Sequence, residues 1–219
     1  MLKYRCLVLD HDDTVVQSEA TVNYPCFCRY LEQYHPGTTY SLQDYIADCS
    51  KMSFTEMCKI RFGMDETELK QEYQFWQDYA RAHIPDPFPG IRELLHRYRN
   101  AGGKICVVSM SSRDSILRDY RTHFGLEPDV VYSWELPADK RKPSPWSLEQ
   151  ICNQFGFSPE EMLVVDDMKF AVSMARTAAS PIAFAAWGRQ NFPEVCREME
   201  SLCDFAFQTV KDFENFLFD

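Results

Sequence analysis

Apolar residues along the chain fall into two kinds of pattern. Three short unbroken apolar runs, at residues 5–10, 104–109 and 161–166, each end in an acid or a hydroxyl, as expected of strands buried on both faces. Between and after them, apolar positions recur at helical spacing over 91–100, 113–124, 145–155 and 169–178, and the first three stretches are closed by glycine-containing segments. Shorter strands are expected at 130–132, 181–185 and 205–207. Strand and helix alternate, which predicts an α/β fold with a doubly wound parallel sheet.

Residues 18–83 break this rhythm. They hold only helical patterns, over 20–33, 41–49, 54–62 and 66–82, with Asp65 placed to cap the last. The block ends at 84–90, where three prolines and a glycine make a stiff connector. The expected organisation is a small α-helical domain, residues 17–87, inserted into an α/β core made of 1–16 and 88–219.

Composition narrows the function. With 45% hydrophobic and 26% charged residues, the 219-residue chain has ordinary globular content. Its 33 acidic against 23 basic residues give a net charge of −10, and the one basic cluster is Lys140-Arg141-Lys142, so nucleic acid is not an expected partner. No apolar run approaches the ~20 residues of a membrane helix, and no membrane association is expected. Nine cysteines, an odd number scattered through the apolar runs, suit reduced thiols in the cytoplasm. Cys26 and Cys28 lack the further ligands a zinc site needs.

Ligands of open parallel sheets bind outside the carboxyl ends of the strands. Here those ends carry Asp10-His11-Asp12-Asp13-Thr14, Ser109-Met110-Ser111-Ser112 and Asp166-Asp167, and Lys142 precedes the helix leading into the third run. Each piece alone has a bland reading as a turn, a helix cap or a solvated charge. Gathered at one edge, the acids repel one another unless a cation neutralises them, and hard oxygen ligands of this kind suit Mg²⁺.

Asp10-x-Asp12-x-Thr14-Val15, Ser109, Lys142-Pro143 and Asp166-Asp167, in that order and each in its strand or helix context, resemble the four motifs of the haloacid dehalogenase superfamily. The helical insert after the first motif and Phe88-Pro89-Gly90-Ile91-Arg92-Glu93-Leu94-Leu95 are similar to phosphoglycolate phosphatase-like and β-phosphoglucomutase-like members. The resemblance covers essentially the whole chain. It implies a Rossmann-like core with a helical cap, and a Mg²⁺-dependent phosphatase acting on a small phosphorylated metabolite through an aspartyl-phosphate.

In that reading Asp10 is the nucleophile and Asp12 the general acid and base. The metal is held by the Asp10 carboxylate, the Asp12 carbonyl and Asp167, with Asp166 assisting. Ser109, Lys142 and the backbone amides around Asp12 and Met110 bind phosphoryl oxygens. The turn 49–53 stands where relatives place a specificity loop, which makes Lys51 a candidate for contacting the leaving group. Retention of Asp12 favours phosphoryl chemistry over dehalogenation. The alternatives are a phosphomutase, disfavoured because no histidine lies between His11 and His35, and a non-catalytic module that keeps the fold.

Two residues depart from the family pattern. Asp13 stands where relatives commonly carry glycine and is read as a turn former, and His11 replaces an apolar aromatic and is read as a packing or cap-facing residue.

Overall fold

The computed structural model describes residues 2–218. Six strands, β1 (Cys6–Leu9), β2 (Lys104–Val108), β3 (Val130–Tyr132), β4 (Met162–Asp166), β5 (Ile182–Ala185) and β6 (Phe205–Phe207), form one sheet in the order β3-β2-β1-β4-β5-β6. Every pairing is parallel. Burial explains why: β1 and β5 are apolar throughout, β4 is apolar up to its terminal Asp166, and all three are inaccessible along their whole length, as a sheet covered on both faces requires. The chain runs outward from β1 to β2 and β3, then returns to place β4 on the other side of β1. The strand order therefore reverses beside β1, where open sheets bind ligands. Leu9 pairs with Val107 on one side and Val165 on the other, so Asp10 leaves the sheet level with the ends of both neighbours.

Six helices belong to this α/β unit: α5 (Ile91–Asn100), α6 (Arg113–Asp119), α7 (Trp146–Phe155), α8 (Lys169–Thr177), α9 (Pro193–Leu202) and α10 (Val210–Phe218). The buried stripe of α5, Ile91, Leu94, Leu95 and Tyr98, has the i, i+3, i+4, i+7 spacing of one helix face. After α5 the chain doubles back so tightly that a Cβ on Gly103 would meet the Tyr98 ring at 2.2 Å, while the Tyr98 hydroxyl donates to the Tyr4 carbonyl at 2.8 Å. Leu7, Leu9, Val107, Leu163, Val165 and Ala183 meet α5 and α10 in the central core. Helix periodicity predicts a single helix over 113–124, but α6 stops at Asp119 and continues as a π-helical turn, Tyr120–Phe124. The wider turn keeps Tyr120 and Phe124 both fully buried, their rings edge to face at 5.2 Å.

The second compact unit, Ser18–Pro85, is helical, and the first comprises the residues up to Gln17 and from Asp86 onward. A π-helical turn, Glu19–Asn23, leads into α1 (Tyr24–Tyr34), followed by α2 (Leu42–Cys49), α3 (Phe54–Phe62) and α4 (Glu66–Ala82). Local chemistry sets the ends. Ser53 and Glu56 close a capping box at the start of α3, and the Asp65 carboxylate accepts the N–H groups of Thr67 and Glu68 at the start of α4. The Phe27 ring lies 5.3–6.2 Å from those of Tyr40, Tyr45, Phe54 and Phe62, making an aromatic core. All nine cysteines are free thiols, and among the described residues no helix is long and apolar enough to cross a membrane.

Candidate active site

The loop leaving β1 organises the site. The Asp10 N–H donates to the Val165 carbonyl at 2.9 Å, extending the ladder one residue past the strand. The chain then hooks back: the N–H groups of Val15 and Val16 both donate to the His11 carbonyl, and that of Asp13 donates to the Val16 carbonyl at 2.8 Å. Asp13 carries the bend at φ 50°, a left-handed conformation that aspartate tolerates better than most residues. Asp10, Asp13 and Thr14 are buried by this hook, and Asp12 is half-buried.

Lys142 reaches into the site from the segment before α7. Its ammonium donates to Asp10 Oδ1 and Asp166 Oδ2, both at 2.7 Å, with only 6% of its side chain exposed. Burial alone would lower its pKa, but the charges of Asp10 and Asp166 outweigh that cost and hold it above the ordinary lysine value. Asp166 ends β4 and also accepts the Met168 N–H at 2.9 Å on Oδ1. Burial pushes its pKa up to about 6, against the pull of Lys142.

Asp167 is buried as deeply. The Thr14 hydroxyl donates to its Oδ1 at 3.4 Å, and Arg189 pairs with its Oδ2. The same guanidinium donates to Asp13 Oδ2 at 2.6 Å. Burial raises the Asp167 pKa well above the carboxylate range, and the neighbouring Asp166, Asp10 and Asp13 reinforce the rise while Arg189 opposes it.

Asp10, Asp166 and Asp167 each offer an oxygen such that all three atoms lie within 4.8 Å of one another. Four buried carboxyl groups, those of Asp10, Asp13, Asp166 and Asp167, face two buried cations, Lys142 and Arg189, an excess of acids over cations. Oxygen-only donors and this excess of buried acids fit a divalent hard cation.

The remaining expected site residues lie as follows. Ser109 follows β2, buried, with its N–H donating to the Tyr132 carbonyl at 2.9 Å and its Oγ accepting the Ser111 N–H at 3.2 Å. Met110 is exposed beside it. Lys51 belongs to the helical unit, exposed on the turn between α2 and α3. His11 is buried, its Nε2 3.1 Å from Asp119 Oδ2 and its ring stacked 6.0 Å from Tyr120.

Sequence reasoning missed Arg189 and Asp119. Arg189 carries a detectable signal, a Gly-Arg pair just past the apolar strand run of 182–185, hence a cation at another carboxyl end of the sheet. Asp119 carries none, because an acid on a helix reads as solvated until the π-turn buries it.

A parallel sheet flanked by helices, with acids and a lysine gathered where the strand order reverses, defines a Rossmann-like α/β protein with a carboxylate-based site. The family model of haloacid dehalogenase-like hydrolases matches residues 7–185, and the chain belongs to that family. It is 26% identical over 137 residues to a phosphoglycolate phosphatase of Haemophilus influenzae, an alignment covering 59% of this chain. The chain spans about three-fifths of that relative's length, 60%. Among solved structures, one from Bacteroides fragilis superposes with a TM-score of 0.81 at 22% identity, covering 96% of this chain and all of that one. CbbY from Rhodobacter sphaeroides, in complex with phosphate, superposes with a TM-score of 0.72 at 16% identity and 94% coverage of each chain.

Proposed function

We propose that this chain is a Mg²⁺-dependent phosphatase that hydrolyses a small-molecule phosphate monoester through an aspartyl-phosphate on Asp10. The observation that carries the reading is Asp10 itself: buried at the reversal of the sheet, with Oδ1 committed to Lys142 and a cation-fitting cluster alongside. That arrangement leaves Oδ2 for attack. Mg²⁺, held by Asp10, the Asp12 carbonyl and Asp167 with Asp166 assisting, would supply the positive charge that lets a carboxylate approach a phosphate dianion.

The protein's own groups divide the work. Asp10 Oδ2 forms a bond to phosphorus as the bond to the leaving oxygen breaks, and half-buried Asp12 gives that oxygen its proton. Asp12 then takes a proton from water, whose oxygen attacks the aspartyl-phosphate, and inorganic phosphate departs as the bond to Asp10 breaks. Lys142, Ser109 and the N–H of Met110 hold the phosphoryl oxygens through both steps. Lys51 in the helical unit is the candidate for recognising an anionic leaving group. The name of the Haemophilus relative puts phosphoglycolate first in the substrate panel, with sugar phosphates next. The free thiols suit a cytoplasmic setting, and the net charge of −10 makes nucleic acid an unsuitable partner.

The test is release of inorganic phosphate from a panel of small phosphoesters, with Mg²⁺ and with chelator, by the native chain and by Asp10→Asn. Metal-dependent release lost in the variant supports the reading. Interconversion of sugar-phosphate isomers without release would replace it with a phosphomutase.

A further inference from the structure

The hook after β1 and the turn after β5 are built against each other. A Cβ on Gly188 would stand 1.9 Å from the Asp13 carbonyl oxygen, so the two backbones meet at a distance only glycine permits. Trp187 Nε1 donates to the Thr14 carbonyl at 3.0 Å on one side of this contact, and Arg189 follows on the other. The Arg189 side chain, 2% exposed, forks between Asp13 Oδ2 and Asp167 Oδ2, and its own carbonyl accepts from the Cys196 thiol at 3.1 Å. The guanidinium is thus held against a carboxylate of the cation-fitting cluster, while the backbone of the residue is anchored separately.

Neither charge makes sense alone. Asp13 without Arg189 is a further buried acid beside Asp10 and Asp167, whereas Arg189 without Asp13 is an unbalanced cation bound to one of the three converging acids. We propose that Asp13 and Arg189 are a matched pair that orients Asp167 and balances the charge placed beside it, with Arg189 a positioning residue acting through Asp167. The proposal rests on the reading of this cluster as a Mg²⁺ site. It gives Asp13 a function beyond turning the chain, and makes residues 13 and 189 dependent on each other.

The experiment is titration calorimetry of Mg²⁺ into the metal-free chain, with circular dichroism to check folding. Asp13→Asn keeps the left-handed bend and leaves the guanidinium uncancelled, so Mg²⁺ binding weakens by roughly tenfold or more. Arg189→Gln leaves an extra carboxylate facing the cluster, so binding tightens by a similar factor, roughly tenfold. The double variant returns to within about threefold of the native affinity, since the opposed charge changes cancel. Arg189→Lys keeps the charge but not the fork, so its affinity lies closer to the native value than that of Arg189→Gln without matching it.

A structural role alone would weaken binding in both single variants, and that result, or no change in either, overturns the proposal while leaving the phosphatase reading intact. A native chain that binds no Mg²⁺ removes both. If a single variant does not fold, the double variant decides: native-like affinity in it supports the pair, and loss of affinity in it overturns the proposal.

Discussion

The two units bury acids in opposite ways. In the α/β unit, Asp10, Asp13, Asp166 and Asp167 are buried against Lys142 and Arg189, so each carboxylate is ion-paired to a buried cation. In the helical unit, Glu72 on α4 is buried and, among the described residues, makes no ion pair, and burial pushes its pKa up to about 8. Asp48 there takes a third course, gripped by the half-exposed Arg61 at 2.6 and 2.7 Å and by the Tyr40 hydroxyl at 2.7 Å. Desolvation costs both units, but the first gathers its buried acids around buried cations in one cluster, whereas Glu72 has no such cation and is held as a neutral acid.

That contrast can be broken experimentally. The largest effect expected is on turnover: Asp10→Asn lowers phosphate release by roughly 10³-fold or more with the fold intact by circular dichroism. Next comes Lys142→Met, which strands two buried carboxylates and should cost on the order of 3 kcal/mol in chelator, read by urea unfolding. Added Mg²⁺ should recover part of that loss, because it replaces the missing positive charge.

Glu72→Gln addresses the other unit. The folded pKa of about 8 lies above the unfolded value near ~4.3, so the folded state binds the extra proton between them and stability falls as pH rises through that window. The slope from this one group is at most about 1.4 kcal/mol per pH unit. In Glu72→Gln the melting temperature should lose this dependence between roughly pH 5 and 8. An unchanged slope would mean Glu72 is charged in the folded chain. The smallest effect belongs to Tyr30→Phe: its hydroxyl makes only a 3.4 Å bond to the Glu68 carbonyl, so removal should cost at most about 0.5 kcal/mol.

Elements whose signal is local were readable in the chain. α3 and α4 run over the residues the pattern predicts, because Ser53, Gly63 and Asp65 mark their ends by backbone chemistry that needs no distant partner. The strand runs stood out because burial on both faces demands unbroken apolar residues. Helices α9 and α10 were not anticipated: α9 carries acids through its length, and α10 interleaves phenylalanines with acids, so only packing selects their buried faces. The end of α6 was misread for a related reason, since the π-turn answers to the core beneath Tyr120 and Phe124.

The sequence by itself determined the strand and helix alternation, the helical insert and the order in which Asp10, Ser109, Lys142 and Asp166 reach the carboxyl ends of the strands, because these follow from periodicity and from neighbours in the chain. Tertiary structure alone decided which charges meet. Lys142 lies 132 residues from Asp10, and Arg189 lies 176 from Asp13. At such separations no local rule specifies a partner. The pairing is chosen by the sheet order, which brings the ends of β1, β4 and β5 side by side and leaves buried charges no solvent to face but one another.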